Sequence, residues 1–211
     1  SMRSAWREVI VAAAEENYRP GEFTTFIAFE WSAAPGGANL HRNVVFRGSD
    51  VPDLPVSTYE IRREDALWDW MEARQAEGMR LMAIPHNSNA SKGVLFGATT
   101  DNEGRPFDRA YAERRARLEP LVEMMQVKGS SEVHRGFWPA DEFADFENAD
   151  SIAKFSGRTA QRNNYVRWGL IEGLAWERQL VAIPLRSAIA ARSANHTGLP
   201  ADRMEAGPNG E

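Results

Sequence analysis

The chain has 211 residues and a formal net charge of −5, with 43% hydrophobic and 26% charged residues. This is the composition of a globular domain of ordinary size, and the acidic balance gives no electrostatic reason to expect nucleic acid as a partner. The absence of cysteine excludes disulfides and thiolate metal sites, and no apolar run is long enough to suggest a membrane span. None of these properties fixes the cellular compartment.

The first part of the chain predicts one helix and two strands. A helix is expected over residues 4–17, where apolar residues recur at helical spacing. The residues expected on its apolar face are Trp6, Val9, Ile10 and Ala13. Strands are predicted over residues 23–30 and 41–47, because both runs are rich in β-branched and aromatic side chains.

The middle of the chain continues this alternation. Residues 64–77 predict a helix that Gly78 terminates, and residues 80–85 predict a short buried strand. A helix is expected over residues 108–119, where arginines alternate with acidic residues and indicate a solvated helix face. The next strand is predicted over residues 122–128.

The last part of the chain predicts a long helix over residues 159–180 and a final strand over residues 181–190. Because strands and helices alternate throughout, we expect the α/β class, with the strands in a layer or a barrel. Residues 1–200 are treated as one domain and residues 201–211 as a flexible tail, since the tail is polar and contains Gly and Pro.

All four histidines lie in or beside polar loops at the ends of predicted strands, and one glutamate ends a strand in the same way. In (β/α) barrels the functional side chains gather at the carboxyl ends of the strands. Neutral imidazole suits zinc, manganese or iron, and a carboxylate can bridge two ions. The pattern therefore predicts a divalent metal site formed by Glu30, His41, His86, His134 and His196.

A second interpretation uses carboxylates alone. Glu30 and Glu132 both lie at strand ends, where the two carboxylates of a barrel glycosidase would stand. That reaction has no need of the surrounding histidines, so the sequence favours the metal site.

Four segments carry a resemblance to a known superfamily. They read FTTFIAFEWSAAPGGANLHRNVVFRG, MAIPHNSNASKG, VKGSSEVHRGFWPADEFADFE and NYVRWGLIEGLAWE. Here the chain resembles the PHP (polymerase and histidinol phosphatase) superfamily, through a PHP-like bacterial family of unassigned function. The resemblance extends from about Trp6 to Leu180. It implies a distorted, TIM-like (β/α)7 barrel and a phosphoester hydrolase with up to three metal ions.

The resemblance also implies roles for individual residues. Glu30 and His86 would be catalytic, with Glu30 bridging two ions. The implied metal ligands are Glu30, His41, His86, His134 and His196. Lys128 and Arg135 would hold the phosphate of a small-molecule phosphoester through their positive charge; the alternative for both is a surface salt bridge.

Two features of the superfamily are missing from this sequence. The His-x-His strand that opens the superfamily's domain is not found, and Ala194 stands where the closing motif before His196 has an aspartate. We therefore expect a partial barrel, incomplete at its N terminus, with weak metal binding and weak or no phosphoesterase activity. An open strand edge in such a barrel favours a homo-oligomer. The alternative is a non-catalytic fragment or binding module.

Overall fold

The computed structural model describes residues 2–97, 108–148, 160–180 and 188–191. The first helix, α1, comprises the consecutive segments Met2–Ser4, Ala5–Val11 and Ala12–Asn17. The other helices are α2 (Glu64–Ala76), α3 (Arg109–Leu118) and α4 (Val166–Leu180). The strands are β1 (Ile27–Trp31), β2 (Arg42–Phe46), β3 (Leu81–Pro85), β4 (Leu121–Gln126), β5 (Gly129–Ser130) and β6 (Ala188–Ala191). None of the described helices is long and apolar enough to cross a membrane.

The described strands form two three-stranded sheets. The first has the order β1-β2-β3, with antiparallel neighbours throughout. The second has the order β5-β4-β6, in which β4 is antiparallel to β5 and parallel to β6. Strand β3 lies against β4, but no hydrogen-bonded ladder among the described strands joins the two sheets. The predicted α/β class is confirmed, and the ladders in this part of the chain do not close a barrel.

The connections of the first sheet bring the candidate site residues to one end of it. Strands β1 and β3 run in the same direction because each is antiparallel to β2. The loop between β1 and β2 is too short for the helical crossover that parallel neighbours need. Glu30 near the end of β1, His41 just before β2 and His86 just after β3 therefore lie at the same end of the sheet.

One face of this sheet forms the hydrophobic core with α1 and α2. Burial alternates along β2 and β3, as expected for strands with one face against the core. Trp6 of α1 is buried and meets Phe29 edge-on, with ring centroids 6.2 Å apart. Leu67 and Met71 of α2 are fully buried in the same cluster. The other face of the sheet, which carries Glu30, is less buried and faces away from this core.

Helix α1 forms where it was predicted, but its buried face is different. Trp6 and Val11 are buried, whereas Val9 is 61% and Ile10 44% exposed. The segment Ala5–Val11 is π-helical, and its i→i+5 hydrogen bonds bring residues five apart onto one face. The prediction assumed α-helical spacing, which places residues three or four apart together.

Two strand boundaries also differ from the prediction. Strand β1 begins at Ile27 rather than at Phe23, because Phe23 forms a bridge with Arg19 in a separate turn. Strand β4 ends at Gln126, because Gly129 adopts a φ of 95° and the chain turns back to form β5. Both shifts arise from local turns that the apolar pattern does not reveal.

At the C-terminal end, α4 begins at Val166, later than predicted. A short 3-10 turn, Arg162–Asn164, precedes it. The predicted last strand is described only at Ala188–Ala191, where it pairs with β4. The predicted tail, residues 201–211, lies outside the described residues.

Three charged side chains form a buried cluster that ties β2 to α3. Arg42 Nε donates to Glu119 Oε1 at 3.0 Å, and Arg115 Nε lies 3.3 Å from Glu119 Oε2. The Trp68 indole N–H of α2 donates to the same Oε1 at 2.9 Å. Arg115 belongs to the helix predicted to be solvated, yet it is only 4% exposed, because Glu119 follows one turn later and accompanies it into the core.

Replacing Glu119 by alanine is expected to lower the free energy of unfolding by about 3–5 kcal/mol, because the two arginines would lose their buried counter-ion. Urea denaturation followed by tryptophan fluorescence measures this change. The matched control is Glu113→Ala on the same helix, whose exposed pair with Arg109 spans one turn and contributes about 0.3–0.5 kcal/mol. Equal stability losses in the two variants would contradict a structural role for the cluster.

Candidate metal centre

The register of the first sheet places three side chains that could bind a metal ion at the same end of its strands. Arg42 of β2 pairs with Pro85 of β3. The pairing continues one residue further, where the backbone N–H of His86 donates to the carbonyl of His41 at 3.4 Å. Strand β1 pairs with the other side of β2, and its residue Glu30 lies on the less buried face of the sheet. Two of the candidate ligands are therefore fixed by backbone pairing and the third by its place on a strand.

The three side chains converge on one point. His41 Nδ1 lies 2.8 Å and His86 Nε2 lies 3.5 Å from Glu30 Oε1. One ligand atom from each residue lies within 4.8 Å of the other two. The imidazole rings meet edge to face, with centroids 5.6 Å apart and an interplanar angle of 76°. Within the described ranges, no other group of three or more His, Asp or Glu side chains converges in this way.

The donor set fits a divalent ion. The buried His41 Nδ1 is close to Glu30 Oε1, but within the described structure it has no aligned hydrogen-bond partner. A bound cation would satisfy both atoms, since neutral imidazole nitrogen and carboxylate oxygen both coordinate zinc. Two imidazoles and one carboxylate also suit iron and manganese.

The electrostatics of the site keep Glu30 ionised. The pKa of its carboxyl group is held well below the usual range, first by the His41 imidazole and then by that of His86. Partial burial raises the pKa, but by less, and the Ser32 hydroxyl lowers it further by donating to Oε1 at 2.9 Å. A carboxylate must be deprotonated to bind a metal ion, so Glu30 is ready to act as a ligand at neutral pH.

The site is closed on one side and open on the other. His86 is 5% exposed, whereas 40% of the Glu30 side chain is accessible to solvent. Structural zinc sites are closed by four protein ligands, and catalytic ones keep a position open for water or substrate. Three ligands with an accessible carboxylate correspond to the second arrangement.

His134 does not join the three-residue group. Its Nδ1 accepts a hydrogen bond from the backbone N–H of Gly136 at 3.1 Å. Its ring packs against Tyr165 and Phe137, with centroid distances of 5.6 and 6.0 Å. Among the described residues only Glu30, His41 and His86 form the group, so a cleft shared with His134 stays a prediction. His196 lies outside the described residues.

The predicted substrate-binding residues have other contacts. Arg135 forms an ion pair with Asp145 at 2.9 Å on the surface. The backbone carbonyl of Lys128 accepts a hydrogen bond from Asn89 Nδ2 at 2.9 Å. Phosphate binding by Lys128 and Arg135 stays a prediction.

Glu132, the second carboxylate of the glycosidase interpretation, is paired with Arg167 at 2.9 Å. Arg167 also binds Asp141, so it lies between two acidic side chains. Glu132 is thus part of a salt-bridge network at the start of α4. This network gives Glu132 a structural role that needs no substrate.

Two parts of the site were missed by sequence reasoning. Ser32 contacts Glu30. This contact could have been predicted, because residues two apart in an extended chain lie on the same side. The polar turn after β3 is almost completely buried. The only sequence feature that pointed to this turn was its run of asparagine and serine directly after an apolar strand. Polar residues at such a place are more often exposed, so the run alone did not reveal its burial.

Comparison with known proteins gives a family without an assigned activity. The sequence model of a family described as "Protein of unknown function (DUF3604)" matches residues 1–208. The chain belongs to the DUF3604 family. No curated protein and no solved structure matches this DUF3604 chain significantly.

Proposed function

We propose that this DUF3604 domain is a metal-dependent hydrolase that acts on small-molecule phosphoesters. The observation that carries the proposal is the convergence of Glu30, His41 and His86 within 4.8 Å at an accessible edge of the first sheet. The donor set favours zinc, manganese or iron as the cofactor. The substrate class rests on the resemblance to the PHP superfamily.

We further propose that the two sheets belong to a partial, distorted (β/α)7 barrel of the PHP type. Strands β1 and β3 share a direction, β3 lies against β4, and β4 is parallel to β6. The antiparallel strand β2 between β1 and β3 is the place where this wall departs from the all-parallel ladder of a regular (β/α) barrel. Glu30 and His86 lie at the carboxyl ends of β1 and β3, where such barrels carry their functional groups.

Each of the three residues would contribute differently. Glu30 supplies the negative charge, and Ser32 orients its carboxylate. His86 is buried and fixed by the backbone bond to His41, so it sets the inner boundary of the site. These three residues would hold a divalent ion, whose chemistry there would be to make water nucleophilic towards a phosphoester at neutral pH. The accessible side of Glu30 leaves room for the substrate.

A set of three ligands suits one metal ion better than a pair of metal ions. Two ions about 4 Å apart hold both the attacking and the leaving oxygen, which a single ion cannot do. We therefore expect slow turnover. The small ligand set also favours the second candidate, a metal-binding module without catalysis.

We retain the proposal that two copies associate through an open strand edge. Strand β1 is at the edge of the first sheet in the described part of the chain. An unpaired edge offers backbone N–H and C=O groups to a second copy.

The test is metal-dependent turnover of a generic aryl phosphate. The purified chain is treated with a chelator, dialysed, and then supplied with manganese, zinc or iron. We expect turnover only after metal is added, and its loss in the His86→Ala variant. Turnover that survives the chelator would contradict a metal-dependent mechanism. Tight metal binding without turnover would favour the binding module.

A further inference from the structure

The turn after β3 contains five buried polar side-chain atoms that have no hydrogen-bond partner in the described structure. These atoms are His86 Nδ1, Asn87 Nδ2, Asn87 Oδ1, Ser88 Oγ and Ser91 Oγ. Asn87 is 1% exposed, and both serines are fully buried. An unsatisfied buried donor or acceptor is strongly destabilising, and five of them together would offset much of a domain's stability. These atoms are therefore available to a small polar ligand.

The turn is held rigidly, so these atoms cannot find partners by simple rearrangement. Asn164 Nδ2 donates to the carbonyl of Asn89 at 2.9 Å, and its Oδ1 accepts from the backbone N–H of Gly93. The Asn89 side chain donates to the carbonyl of Lys128 at 2.9 Å. Neighbouring loops thus anchor the turn at several points along its length.

Asn87 itself has a left-handed backbone, with φ of 53°. Asparagine tolerates this conformation better than most residues, and such backbone outliers concentrate at functional sites. The side chain is therefore fixed at a position directly next to the proposed ligand His86.

The burial of the turn decides which ligand it can hold. Each of the five atoms exposes less than 1 Å² to solvent. A diffusing substrate cannot reach them, but an enclosed water molecule can, since buried water typically makes two to four hydrogen bonds to such groups.

His86 gives this water a function. Its Nε2 faces Glu30 at 3.5 Å, so Nε2 is the proposed metal-ligand atom and Nδ1 is on the other side of the ring. A histidine that binds a metal nearly always donates its second N–H to a carboxylate, a carbonyl or a water molecule. In the described structure Nδ1 has no protein partner.

We propose that Asn87, Ser88 and Ser91 hold ordered water against His86 Nδ1, which keeps the proton on Nδ1 and leaves Nε2 free for the metal ion. The inference rests on the proposed metal centre. The three side chains act through His86 and are positioning residues.

The first test is zinc affinity, measured by competition with a chelator of known affinity. Asn87→Gly removes the amide but keeps the left-handed backbone, which glycine adopts without strain. We expect zinc to bind about 10–100-fold more weakly, as for other losses of a group behind a ligating histidine. Lys92→Gly is the matched control. It places glycine at the same kind of backbone, with φ of 52°, on an exposed residue of the same loop, and should change affinity by less than about twofold.

The second test reads the position of the proton directly. Long-range ¹H–¹⁵N spectra of the zinc-free protein distinguish the two imidazole tautomers, and the chain has only four histidines to assign. We expect a protonated Nδ1 on His86 in the wild type and a mixture or exchange-broadened signals in Asn87→Gly. Ser88→Ala and Ser91→Ala repeat both tests should Asn87→Gly fail to fold.

The outcomes separate this inference from the metal centre itself. Wild-type protein that binds no zinc would overturn both. Zinc binding and a His86 tautomer that are the same in wild type and variants would overturn this inference alone. A higher KM for aryl phosphate at saturating zinc, with unchanged zinc affinity, would show that Asn87 contacts substrate and would also overturn it.

Discussion

Replacing His86 by alanine is expected to weaken zinc binding by at least about 10²-fold. A site with four protein ligands gains about 10–16 kcal/mol on binding zinc, so one ligand corresponds to about 3 kcal/mol, or somewhat more than 10² in affinity. His86 is the most buried of the three candidate ligands and is held by backbone pairing with His41. Calorimetric titration or chelator competition measures the loss.

His134→Ala is the matched control for this prediction. His134 is similarly buried, but its Nδ1 accepts a bond from Gly136 and its ring packs against Tyr165. We expect its removal to leave zinc affinity within about twofold, while circular dichroism checks that the variant is folded. An equal loss of zinc affinity in both variants would show that His134 belongs to the metal centre. Unchanged zinc affinity in His86→Ala would show that the proposed group does not bind zinc.

Replacing Glu30 by glutamine is expected to lower kcat for an aryl phosphate by at least about 10²-fold at saturating manganese. Glutamine keeps the shape of the side chain but not the charge, and the loss of one electrostatic group at a reacting centre costs about 10²–10³ in rate. Glu30 is held as an anion by two imidazoles and a hydroxyl, which indicates that its charge matters. Steady-state kinetics at several metal concentrations separate weaker metal binding from slower chemistry.

Glu132→Gln is the companion variant, and it also tests the glycosidase interpretation. Since Glu132 is paired with Arg167, its loss should leave phosphatase turnover within about twofold. A glycosidase needs one carboxyl group as its acid and one ionised carboxylate, and the lowered pKa of Glu30 suits it only for the second role. Hydrolysis of an aryl glycoside that is abolished by either substitution would instead support the pair of carboxylates.

Helix α2 and strand β3 show how well local patterns predict elements in this chain. The predicted helix ends where Gly78, with φ of 101°, leaves the helical conformation, and the predicted strand differs from β3 by one residue. Glycine termination and alternating burial are local properties, so the sequence carries them directly. The π-helical segment of α1 is not encoded in any such local signal, and its buried face was predicted wrongly.

The candidate site was predicted in part for a similar reason. Glu30 and His86 end strands of the same direction, and the strand-end rule brings such residues together without knowledge of the packing. The place of His134 depends on a loop whose own N–H groups and aromatic side chains capture the imidazole. Loop geometry of that kind cannot be derived from spacing along the sequence.

The buried charge cluster could not be predicted from the sequence. Arg42 and Glu119 are 77 residues apart and meet only once β2 and α3 are packed. Charged residues are almost never fully buried unless paired, so an arginine-rich helix is ordinarily expected to face solvent. Only the folded structure shows that Arg115 turns inward.

The most direct measurement is anomalous X-ray diffraction from crystals of the zinc-loaded chain. We expect an anomalous peak bound by Glu30, His41 and His86, with zinc–nitrogen distances of about 2.0–2.1 Å and a zinc–oxygen distance of about 2.0–2.2 Å. The peak should be missing in crystals of His86→Ala grown in the same way. A zinc-loaded crystal with no peak between these three residues, or with its strongest peak at another site, would show that they do not form the metal centre.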